Sequence, residues 1–257
     1  MYFFVGLFAS IIGAIAGLGG GVIIKPALDF LGDYDVATIG VLSAATVFAM
    51  ACVSLLKATR SGIKVKGKVS FILAAGSIIG GVFGKIIFNY LIASVRDQEL
   101  ITGIQAGILA FLMFIIFLFV RNIEDIKTYH LKNKIVILIA GFGLGMLASF
   151  LGIGGGPLNV AVLAFAFSMS AKESAINSIF IIFFSQLASL VITACTTGFA
   201  NIDLTILGFM LVGGVAGGFI GATLSVKLSN IRIGKIFNFT LVGILLLNVY
   251  NLIRSLL

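Results

Sequence analysis

A chain of 257 residues that is 60% hydrophobic and 10% charged, with a mean hydropathy of +1.24, does not read as a soluble domain. Soluble domains carry roughly a quarter charged residues, so the composition points to a polytopic protein whose main partner is the lipid bilayer. A net charge of +8 could suit nucleic acid, but the basic residues cluster in short loops beside apolar stretches. That is the positive-inside pattern of an inner or plasma membrane protein, and no nucleic-acid partner is expected.

Eight apolar segments follow one another: 2–31, 36–56, 69–93, 100–120, 135–169, 174–195, 204–226 and 236–253. The start of the first could pass for a signal peptide. It lacks a basic leading region and runs straight into a glycine motif, so it is expected to be retained. A crossing takes about 20 apolar residues at about 1.5 Å each. Six segments fit one crossing; the first and fifth reach 30 residues or more.

Both long segments are interrupted in the same way. Gly17-Leu18-Gly19-Gly20-Gly21 breaks the first, and Gly152-Ile153-Gly154-Gly155-Gly156 breaks the fifth, 135 residues later. Consecutive glycines are close to a stop signal for a helix. Paired breaks in two halves of a membrane chain point to discontinuous helices around a transporter's binding site.

Loop charge chooses between a single crossing and a hairpin for these segments. With eight single crossings, ten Lys/Arg fall inside: five at 57–68, four at 121–134, and Arg254. Five fall outside: Arg96, Lys172, Lys227, Arg232 and Lys235. If both long segments enter and return on one side, Lys172 and the 227–235 loop move inside, giving thirteen against Arg96 and Arg254. The stronger bias favours hairpins, which leave three full crossings per half and turn the second half upside down.

The repeat extends past the glycines. Ser61-Gly62 aligns with Thr197-Gly198, and Gly80-Gly81-Val82-Phe83-Gly84 with Gly217-Gly218-Phe219-Ile220-Gly221, at offsets of 136 and 137. For these later glycines, close helix packing is the expected role. The expected fold is an all-α polytopic membrane protein with two inverted-topology repeats. Each repeat is a glycine-broken, re-entrant helix pair plus three transmembrane helices. Residues 1–122 form the first, 123–134 a basic cytoplasmic linker and 135–257 the second, with both termini outside.

The chemistry follows from the breaks. Half-helices starting just past them, at 22–31 and 157–169, would aim free N–H groups and roughly half a positive charge at the tips. That makes Gly19, Gly20, Gly21, Gly154, Gly155 and Gly156 candidates for holding an anion. Pro157 suits a first turn, where its missing N–H is no loss. The plainer reading is that the glycines only let helices cross closely.

Lys25, one turn beyond Gly21, could be a counter-charge to the anion or an i,i+4 partner of Asp29. Lys85 could snorkel to an interface. Polar groups at membrane depth are Thr38, Ser43, Thr46, Asn159, Asn177, Ser178, Ser185 and Gln186, whose hydroxyls and amides can donate to oxyanions. Each could equally bond its own backbone. Ser43, Thr46, Asn159, Asn177, Ser178 and Gln186 are kept as site candidates.

Cys52 and Cys195 lie in apolar segments, and the single histidine, His130, is in a charged loop. No Cys/His/carboxylate cluster has metal-ligand spacing, so no metal or other cofactor is expected.

These motifs resemble the TauE/SafE family of sulfite and organosulfonate exporters. The resemblance rests on Gly-x-Gly-Gly-Gly early in each half, Pro26 five residues past the first copy, Gly-Gly-Gly-Pro-Leu-Asn at 154–159, and the Ser/Thr-rich second segment. It covers essentially the whole chain. It implies a small-anion transporter for sulfite, sulfonates or small carboxylates, with export driven by the proton gradient. This chain departs by placing Ala161 opposite Pro26 and adding Lys25.

The leading expectation is therefore a secondary transporter working by alternating access. Its partners would be a small anionic substrate and protons, and acidic residues able to carry one are few: Asp29, Asp33, Asp35 and Asp203. A passive anion channel is the alternative. An enzyme is not expected, since there is no Ser/His dyad or intramembrane Asp pair, and these residues hold no ATP-binding domain.

Overall fold

The computed structural model describes residues 1–60, 65–94, 98–122 and 126–255. They form ten helices and no strand: α1 Tyr2–Ala16, α2 Gly21–Leu31, α3 Val36–Arg60, α4 Gly67–Ser94, α5 Gln98–Arg121, α6 Lys134–Leu151, α7 Gly156–Phe167, α8 Ala171–Cys195, α9 Leu207–Lys227 and α10 Asn230–Arg254. Both long segments divide at their glycines, so each half is a pair of helices followed by three longer ones. Seven helices are long and apolar enough to cross a membrane. Six were expected; the seventh is α6, whose 18 residues reach the required length although its pair was expected to turn back. Ser61-Gly62 and Arg96 lie outside the described residues.

Each broken pair brings its two outer ends together. The Tyr2 hydroxyl at the start of α1 donates to Asp33, just past α2, and the Tyr2 and Tyr34 rings pack edge to face. In the second half, Tyr129 and Leu131 N–H groups, just before α6, donate to the Phe165 and Ala166 carbonyls near the end of α7. Ser168 Oγ closes the same corner on Thr128 and the Tyr129 carbonyl. The chain thus reverses at each glycine break.

The halves interlock by exchange. On α4, Gly76, Gly80 and Gly84 face the carbonyls of Leu138, Phe142 and Met146 on α6; on α9, Gly213, Gly217 and Gly221 face those of Phe3, Leu7 and Ile11 on α1. Both registers ascend together, so each pair runs parallel. A Cβ at Gly80 would stand 1.9 Å from the Phe142 oxygen, so only glycine permits the approach. Small residues four apart give helices this close contact where apolar side chains gain nothing from leaving lipid. The packing role expected for Gly80–Gly84 and Gly217–Gly221 is what these contacts display.

The loops gather at two ends. Lys66 Nζ lies 3.3 Å from Glu173, and Lys172 Nζ donates to the Val226 carbonyl at 2.7 Å. At the other end, Arg254 donates to the Phe30 carbonyl at 2.8 Å and Asn251 to that of Pro26 at 3.1 Å. Large apolar side chains such as Phe111, Phe209 and Phe239 are exposed on the outer surface, as lipid-facing positions should be. Inside, Leu18 and Ile153 from the two breaks share one buried cluster with Met113 of α5 and Leu241 of α10.

Candidate functional site

Six glycines make the breaks possible. Gly17, Gly19 and Gly20 have φ of 74°, 79° and 76°, and Gly152, Gly154 and Gly155 have 67°, 74° and 75°. These are left-handed conformations that cost a side-chain-bearing residue free energy. Gly21 and Gly156 are needed for another reason. A Cβ at Gly21 would lie 2.7 Å from the Ile153 carbonyl oxygen, and one at Gly156 only 1.8 Å from that of Leu18. Leu18 and Ile153 are equivalent, as are Gly21 and Gly156, so the two tips touch reciprocally.

The half-helices begin at this contact. Their caps are Gly20 and Gly155, and neither supplies a side-chain hydrogen bond. No side chain therefore caps the first turns; the Ile23 N–H turns back on the Gly20 carbonyl at 2.9 Å, and Pro157 has no N–H to leave unpaired. In this state the opposing carbonyls of Leu18 and Ile153 occupy the space between the tips. A small cavity lies to one side.

That side cavity adjoins the second tip. Gly152, Gly154, Lys25, Lys85, Gln105 and Gln186 help to line it, and it encloses about 20 Å³, space for about one water. Lys25 and Asp29 form a buried ion pair at 2.7 Å, the i,i+4 partnership that was one of its two readings. Asp29 also lines an open vestibule of about 230 Å³ with Asp35, Glu99 and Arg254, and Val36 lines both spaces. The ion pair stands between them.

A second vestibule, about 460 Å³, is lined by Val160, Ala164, Ser170, Asn230 and Lys235. Ala164 and Ser170 are the equivalents of Asp29 and Asp35, 135 residues on. One vestibule includes Asn230 and the other Arg254, the two ends of the 25-residue α10, about 37 Å apart.

The polar candidates separate. Ser178 Oγ donates to the Gly17 carbonyl at 2.6 Å and reaches that of Gly156 at 3.4 Å, tying both tips to α8. Ser43 Oγ is 3.1 Å from where a Gly21 Cβ would stand, and Gln186 Nε2 is 3.0 Å from the equivalent point on Gly154. Asn159 lies beside Gly155, with its amide 3.5 Å and 3.6 Å from the corresponding point. These four gather at the tips with the glycines.

Thr46 and Asn177 do not. Thr46 donates to the Leu42 carbonyl at 2.7 Å, a bond within its own helix. Asn177 Oδ1 accepts from the Lys66 N–H at 2.8 Å and from Ser70 Oγ at 2.5 Å, fastening α8 to the start of α4. Thr38 bonds Asp35 at the start of α3, and Ser185 bonds the Ile182 carbonyl of its own helix. Asp203 is exposed in the loop before α9. Hydrogen bonds from the Thr205 hydroxyl, then its N–H, hold the Asp203 carboxyl below its usual range.

Two residues at the cavity were not picked out from sequence as site residues. Lys85 was read as a snorkelling lysine, yet it is 8% exposed and lines the cavity. Gln105, buried on α5, donates to the Phe150 carbonyl at 2.6 Å. The signal that could have found Lys85 is its repeat partner, Ala222.

The pattern of the family described as Sulfite exporter TauE/SafE matches residues 2–247. A probable membrane transporter protein, YunE, of Bacillus subtilis is 27% identical over 256 residues, covering 92% of each chain. Another, MJ0441 of Methanocaldococcus jannaschii, is 26% identical over 211 residues, covering 76% of this chain and 73% of its own. No solved structure matches. The chain belongs to the TauE/SafE family and is a multi-pass membrane transporter.

Proposed function

We propose that this member of the TauE/SafE family carries a small anion (sulfite, an organosulfonate or a small carboxylate) by alternating access around its two glycine tips. The observation that carries the reading is the reciprocal contact of Gly21 with Ile153 and Gly156 with Leu18. Two broken helices that meet inside a membrane aim their positive ends at one place. Vestibules at equivalent positions of the two halves, one at either end of α10, supply an opening on each side.

In this reading residues 1–122 and 135–257 are inverted-topology repeats, joined by a cytoplasmic linker at 123–134. Each broken pair is re-entrant, and both termini lie outside the cell membrane. The Lys66–Glu173 contact supports that topology, because it brings the 57–68 loop and Lys172–Glu173 to one end, as the hairpin count of charges requires. With exposed Cys195 replaced by Ala, labelling of Asp33→Cys but not of Lys172→Cys by an impermeant thiol reagent, from outside intact cells, tests the sidedness.

Transport is coupled to protons through Asp29. Its carboxylate holds Lys25; a proton on Asp29 would release the ammonium towards an anion in the cavity. A proton that promotes anion binding travels with the anion, so this route follows the proton gradient, and export by it runs down an outward gradient of the anion itself. The closed contact between the tips favours this mechanism over a continuous pore.

Proteoliposomes carrying purified protein should take up sulfite or a sulfonate saturably when a pH gradient is imposed. Asp29→Asn should remove the pH drive. A steady current that does not saturate would instead identify a channel. Wild-type pH dependence in Asp29→Asn would eliminate that carboxylate as the coupling group.

A further inference from the structure

We propose that Lys85 and Lys25 together form one anion seat beside the second glycine tip, and that the seat takes a singly charged oxyanion of the sulfonate class. This rests on the transport reading and specifies where its solute binds and with what charge. Lys85 lies well inside the 28-residue α4 and is 8% exposed. Its ammonium sits over the Phe88 ring at 5.1 Å, with no carboxylate within ion-pair distance among the described residues. A buried ammonium without a counter-ion carries a desolvation cost that an aromatic face only partly offsets. Ionisable groups in membrane spans mark solute pathways for that reason.

The repeat sharpens the inference. Lys25 and Lys85 correspond to Val160 and Ala222 in the other half, at offsets of 135 and 137. Two separate departures from the repeat, on different helices, converge on a single cavity. Ala222 lines the corresponding cavity, whose one lysine, Lys172, already donates to the Val226 carbonyl at 2.7 Å. Packing alone would not require both cations on the same side. Gln105 also lines the cavity, but its donor is spent on the Phe150 carbonyl and its unpartnered Oε1 is an acceptor, which suits a lysine ammonium or a water and not the anion itself.

Charge sets the class of solute. While Asp29 is ionised, Lys25, Lys85 and Asp29 sum to one positive charge, which a monoanion neutralises and a dianion overshoots. A proton on Asp29 raises the sum to two and strengthens the hold on either anion. Gln186, beside Gly154, can donate to the oxyanion's oxygens. The cavity, at about 20 Å³, is closed around space for about one water. A solute enters when the Lys25–Asp29 pair, which separates it from the vestibule, opens.

The test is thermal unfolding of the purified full-length protein, titrated with methanesulfonate or sulfate at constant ionic strength. Binding to the folded state raises the midpoint. Methanesulfonate should stabilise the wild type at lower concentration than sulfate. Lys85→Met should raise the methanesulfonate Kd by about tenfold or more, the loss of one well-formed contact. Its midpoint without anion should equal or exceed that of the wild type, because an uncompensated charge has gone. Lys85→Arg should keep binding, and Lys85→Gln provides the neutral comparison should the Met variant not fold. Neutral variants that bind like the wild type, or a wild type that prefers sulfate, overturn the seat while leaving the transport reading intact. A wild type that binds neither anion, nor sulfite, contradicts both.

Discussion

Asn177 and Ser178 are neighbours on α8, yet their side chains serve different parts of the molecule. Asn177 fastens the start of α4, whereas Ser178 holds the Gly17 carbonyl. A stretch of sequence rich in both types cannot separate them, because helical spacing assigns faces without saying which neighbour each face meets. The Lys25–Asp29 pair was legible, since an i,i+4 spacing is local and needs no knowledge of tertiary packing. Lys85 was not, because its value lies in what surrounds it. Asn177→Ala should lower stability by roughly 1–3 kcal/mol, the cost of stranding buried donors. It should leave the anion Kd of the surviving folded protein unchanged; thermal unfolding with and without anion measures both. Asp203 is held ionised to lower pH than an ordinary carboxylate and faces solvent, which makes it a poor carrier of coupled protons near neutrality.

At the scale of elements, breaking a helix takes different glycines from docking it. Positive φ values at Gly17 and Gly152 end one helix, and those at Gly20 and Gly155 start the next. Glycines at steps of four on α4 and α9 then clamp α6 and α1, so each broken pair is held mainly by the opposite half. The breaks and the repeat were visible as sequence. The exchange of partners between halves was not, because glycine spacing shows that a face is smooth without naming what lies on it. Hydropathy runs unbroken through 135–169 and only the glycines divide it, which is why the 18-residue length of α6, enough for a crossing, did not show in the sequence pattern. Gly80→Leu would force a side chain into the Phe142 carbonyl and push α4 from α6. The expected outcome is a midpoint in detergent lower by several degrees, with anion stabilisation weakened alongside because α6 carries the second tip. Gly143→Leu, on the partner helix α6 but with open space at its Cβ, should change the midpoint little.

Across the whole molecule, the two halves supply near-equivalent frameworks with unequal chemistry. The vestibule beside α2 carries Asp29, Asp35, Glu99 and Arg254, while its counterpart beside α7 is lined chiefly by small and apolar residues with Lys235. A two-fold framework of this kind can present one site alternately to both sides, and unequal linings give the sides different affinities for an anion. The proposal that the apposed tips govern this exchange is tested most directly by uptake of radiolabelled sulfite or methanesulfonate into proteoliposomes. Wild type, Gly156→Ala and Gly243→Ala would be compared at equal protein content. A methyl group at Gly156 must displace the Leu18 carbonyl, whereas one at Gly243 meets nothing within 4 Å. Gly243→Ala should retain saturable uptake and Gly156→Ala should lose it while remaining folded; uptake by Gly156→Ala at the wild-type rate and affinity would contradict the account.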